Sequence, residues 1–69
     1  MSARHLTTFH VVLDTGTEHT ATVGWTGVSW VPVHPASRDG AITAEGAARL
    51  AAKLLAANER ARVLSVERA

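Results

Sequence analysis

Four histidines, His5, His10, His19 and His34, are the residues here best suited to holding a metal ion. In the strand registers argued below, His19 and His34 come near each other at one end of a sheet. Two imidazoles supply half of a tetrahedral site, and Asp14 or Glu18 are the nearest candidates for the rest. Histidines scattered over a surface explain the same pattern with fewer requirements, so no metal and no other cofactor is expected. Ser29, Ser37 and Ser65 lack the turn context of a nucleophilic serine. Gly24-Trp25-Thr26-Gly27 precedes a strand, whereas a phosphate-binding loop must precede a helix. The absence of cysteine removes disulfides, thiolate zinc sites and cysteine nucleophiles.

Asp14 closes an apolar run, Val11-Val12-Leu13, and is followed at once by Thr15-Gly16-Thr17. These seven residues resemble the catalytic signature of the aspartic proteases. In that family a strand delivers an aspartate on a Thr-Gly turn, and two such aspartates share a proton and activate water across a dyad. The resemblance implies a dimeric enzyme with Asp14 as its catalytic group. It goes no further along the chain. A second hydrophobic-glycine motif and a glycine-rich flap are not recognisable after Trp30, and 69 residues are few for such a protomer. Asp and Gly also favour an ordinary hairpin turn. The turn is the expectation, and with it a protein that is not an enzyme.

A chain of this length, 46% hydrophobic, is too apolar for disorder and builds a core only one layer thick. The start has no apolar signal segment and no run approaches a membrane span, so a cytoplasmic protein without membrane contact is expected. Thirteen alanines, one lysine and no tyrosine point to a GC-rich genome, of the actinobacterial or phage kind. The net charge is +1 with the arginines dispersed, a weak footprint for nucleic acid. Arg4, Arg62 and Arg68 nevertheless form a candidate basic patch, and nucleic-acid binding through it is an alternative. A three-stranded sheet backed by a helix resembles DNA-binding modules such as the arm-binding domains of phage integrases, although those place Arg and Lys along the exposed sheet face.

Alternation marks strands over about 6–13, 18–25, 28–33 and 62–67, and helical spacing marks a helix over about 44–57. A three-residue loop, Thr15-Gly16-Thr17, sets Phe9 beside Val23 and Val11 beside Ala21 on a single apolar face. A two-residue loop, Thr26-Gly27, then sets Trp30 opposite Val23. Pro32 cannot donate a ladder hydrogen bond, which places the third strand at an edge. Thr43 is the expected N-cap, Asn58 the expected left-handed end, and Glu45, Arg49 and Lys53 a solvent-facing row. The expected apolar face of the helix is Ala47, Leu50, Ala51, Leu54 and Leu55. The expectation is one α+β domain, βββαβ, with a four-stranded mixed sheet in the order 4-1-2-3 and the helix on one face. The last strand is expected to run parallel to the first.

The expected function is a small interaction or regulatory module that binds another protein and pairs with itself as a homodimer. Trp25 and Trp30 are candidate anchors, because tryptophan is enriched at binding hot spots, and Arg62 and Arg68 are candidate contacts.

Overall fold

The computed structural model describes residues 5–69. Arg4, one member of the candidate basic patch, lies outside the described residues. Strand β1, His5–Leu13, pairs antiparallel with β2, Glu18–Trp25. The hairpin loop has an odd length, as the face argument requires. It comprises Asp14-Thr15-Gly16, closed by Leu13 N–H donating to the Thr17 carbonyl at 2.9 Å. Gly16 sits at φ 88°, the left-handed position that such a loop needs. The loop starts one residue earlier than expected, which moves the register by two. Phe9 therefore faces Ala21, and Val11 faces His19. An even shift leaves every side chain on its face, so the single apolar face survives.

The next turn, Thr26 to Ser29, is longer than two residues, and β3 spans Trp30–His34. The register again moves by two: Trp25 faces Trp30, and Pro32 faces Val23. β3 is an edge strand, and its outer side is sealed by the chain's own return. Trp30 and Ala41 exchange both backbone hydrogen bonds, at 2.8 and 2.7 Å, and Ser37 N–H donates to the Pro32 carbonyl. Proline has no N–H to leave unpaired there, which is why Pro32 is tolerated. Gly40 allows this close return: a Cβ there would stand 2.9 Å from the Ser29 hydroxyl and 3.1 Å from the Trp30 carbonyl.

The return decides the direction of everything after it. Residues 35–43 carry the chain back along β3 before helix α1, Ala44–Glu59, begins. The helix therefore starts beside Trp30 and ends beside Leu13, where β4, Val63–Arg68, begins. β4 must then run antiparallel to β1, and it does, with Val66 facing Val11. The strand order β3-β2-β1-β4 is the one expected. The parallel pairing, and with it the mixed sheet, is corrected: all three pairings are antiparallel.

Thr43 caps α1, its hydroxyl accepting from Gly46 N–H at 2.9 Å. The helix runs past Asn58 and ends at Arg60, which takes the left-handed conformation at φ 53°. Ala61 N–H bonds to the Ala56 carbonyl and Arg60 N–H to that of Ala57, a Schellman closure. The buried face is alanine: Ala44, Ala47, Ala48, Ala51, Ala52 and Ala56. Leu50 and Leu55 are only half-buried, and Leu54 is exposed. The sheet supplies the large side chains, Phe9, Val11, Leu13 and Val23, all buried. Small residues on the helix let it lie close over them. Packing geometry, rather than side-chain hydrophobicity alone, chose the face.

Candidate functional site

Among the described residues, each one singled out by type has a definite place. The Asp14 carboxylate is exposed, and its Oδ1 accepts the Arg62 N–H at 3.0 Å. Asp14 N–H in turn donates to the Arg62 carbonyl at 2.9 Å. This reciprocal pair ties the first hairpin to the start of β4. After β3 the chain makes the return, α1 and β4.

His19 and His34 are not brought together. His19 faces Val11 on the helix side, while His34 faces Thr22 on the bare side. The registers used to pair them did not account for the bulge between Thr22 and Val23, which turns the end of β3. His19 instead bonds Glu59 in the last turn of α1, at 2.5 Å. Hydrogen bonds from the Thr17 hydroxyl and from His19 hold the Glu59 carboxyl below the ordinary glutamate range. This cluster pins the helix end to the hairpin.

Trp25 and Trp30 form a tilted cross-strand pair, ring centroids 5.7 Å apart. Both are half-buried, and Trp30 packs against Phe9, Ala44 and their neighbours. Arg68 lies on the helix side, 5.4 Å above the Phe9 ring, with its guanidinium on the Glu45 carboxylate at 2.9 Å. Glu45's own backbone N–H, then Arg68, lower its pKa. Glu45 and Arg49 share the expected solvent-facing row, but Arg68 takes the Glu45 carboxylate, its Nε and Nη2 both donating to Oε2. Arg62 and Arg68 stand at opposite ends of β4, roughly 20 Å apart by the strand rise. The structure does not unite them in one patch.

What it does assemble is a groove between α1 and β4, about 510 Å³ in volume. Ala52, Ala56 and Ala57 form its helix wall; Ala61, Val63 and Val66 form the other side. Arg49, Lys53 and Arg62 stand over this apolar lining. None of the three makes a salt bridge among the described residues. Arg49 is close enough to Glu45 to help lower its pKa, yet the carboxylate itself is bound to Arg68.

No family model, curated protein or solved structure matches this chain. The groove is therefore read from its own chemistry. Of its residues, only Arg62 was a candidate from sequence. Arg49 and Lys53 read there as an ordinary solvated row. The available signal was the small size of residues 52, 56 and 57 beside those cations.

Proposed function

We propose that this chain is a small non-catalytic interaction module that binds a partner through the groove between α1 and β4. The observation that carries this reading is the groove's composition: an apolar lining beneath three cations that make no salt bridge among the described residues. Apolar area gives such a surface its affinity, and charge on the rim gives it selectivity and speed of encounter. The attachment of Asp14 to Arg62 supports a structural use of that carboxylate over a proteolytic one. The separation of Arg62 from Arg68, and the engagement of Arg68 by Glu45, weigh against a continuous phosphate-binding track.

The test uses Ala57→Trp, which fills the groove from an exposed helix position. A partner captured from the source cell by the wild-type chain is expected to be lost by this variant, with an unchanged thermal melt. Identical capture by both proteins would move the binding surface elsewhere.

Self-association is a second reading, favoured by the bare side of the sheet. Leu6 there is 62% exposed, and Thr8, Thr20 and Thr22 present a flat neighbouring surface. Sedimentation across a concentration series tests it: a monomer at every concentration rules it out, and Leu6→Glu is expected to dissociate any dimer that forms.

A further inference from the structure

Resting on the reading of the groove as a binding surface, we propose that its occupant is an acidic amphipathic helix of another protein, lying alongside α1. Three observations lead to this partner. First, α1 crosses the sheet from the β3 end to the β4 end, packing on Trp30 at its start and on Val63 at its finish. One helix, about 10 Å across, cannot cover four strands spaced about 4.8 Å apart, and the uncovered strip of the inner face is the groove. A second helix would complete the layer, and the alanines of α1 permit its close approach.

Second, the rim is of one sign. Arg49 and Lys53 are one helical turn apart on α1, so acids repeating at the same spacing on an adjacent helix meet both. Arg62 extends the positive rim past the helix end. A second copy of this chain, groove to groove, would set these cations against their own kind. The rim therefore selects against self-pairing at this surface.

Third, the β4 edge is poorly suited to an added strand. Its pairing with β1 is interrupted by a bulge at Leu64, and Arg68 points inward onto Phe9. Bulges and inward charges are the devices by which sheet edges resist extension. An extended peptide is the poorer occupant. The wall of α1 along the groove, Arg49 to Ala57, is about 12 Å long, which accommodates two turns of a partner helix.

The test is selection of a displayed library of random peptides, each about 16 residues so that helix formation is feasible, on the full-length chain. Enriched sequences are expected to carry apolar residues at helical spacing flanked by Asp and Glu. A synthetic representative is expected to gain helical circular dichroism on binding. Its affinity for Arg49→Glu/Lys53→Glu is expected to fall at least about tenfold, and to return when the peptide's acids are exchanged for lysines. The native melt of the double variant separates lost binding from lost folding. Enrichment of basic or neutral sequences, binding without helical signal, indifference to the charge reversal, or no enrichment at all would each overturn the proposal. If capture sensitive to Ala57→Trp persists in any of those cases, the groove remains the binding surface and only the acidic helix is withdrawn.

Discussion

Replacing Asp14 by asparagine and by alanine separates two uses of one carboxylate. Asparagine keeps an oxygen that can accept the Arg62 N–H, so Asp14→Asn is expected to melt close to wild type. Asp14→Ala removes the acceptor and is expected to cost about 1 kcal/mol in urea unfolding. Equal losses in both variants would mean that the charge, not the bond, matters. Glu45 and Glu59 set the acid response. Both carboxyls titrate lower in the folded chain than the ordinary glutamate. Their contribution is complete above the unfolded value and is lost as pH falls through the depressed folded value. Glu59→Gln is expected to flatten the acid limb of a stability–pH profile while retaining cooperative unfolding. The hairpin turn at Asp14 is legible in sequence because Asp, Thr and Gly act over a few residues, whereas the bond of its carboxylate to Arg62 N–H, 48 residues away, is not. The His19–Glu59 contact spans 40 residues and depends on how α1 is rotated over the sheet, which no local pattern encodes.

Among the elements, α1 is the one most open to measurement. Thr43→Ala removes the N-cap and is expected to destabilise by about 1 kcal/mol. Arg60→Gly is expected to stabilise by roughly 0.5–1 kcal/mol, since glycine adopts the left-handed conformation without a Cβ penalty. Thermal or urea unfolding reads both, and a loss at Arg60→Gly would show that the arginine side chain stabilises the helix end more than its backbone strains it. The boundaries of β1, β2 and the start of α1 were legible from alternation, turn residues and the cap. The direction of β4 was not. It depends on whether residues 35–43 form a passive link or a return strand, and the decisive features are Gly40's close approach and the hydrogen bonds between Trp30 and Ala41. The two Trp-bearing strands were placed on the correct face but two residues out of register, because hydrophobic alternation has a period of two and cannot resolve that slip.

For the whole molecule, thinness is the governing property. A single helix covers part of one face of a four-stranded sheet, and no helix among the described residues is long and apolar enough to cross a membrane. The α+β class and strand order were legible, while the groove was not, because it arises from the diagonal course of α1 and from the small size of its alanines. The two flanks of the sheet are also unlike. On the β3 side, Ala41 and Ser37 occupy the outward backbone groups of Trp30 and Pro32. Open-ended growth of fibres requires two free borders, one to receive and one to present. A molecule with one border occupied by its own chain and the other interrupted at Leu64 cannot hand such a contact onward. Even crowded solutions are therefore expected to yield finite particles in light scattering, without the elongated species that a sheet open on both sides would seed.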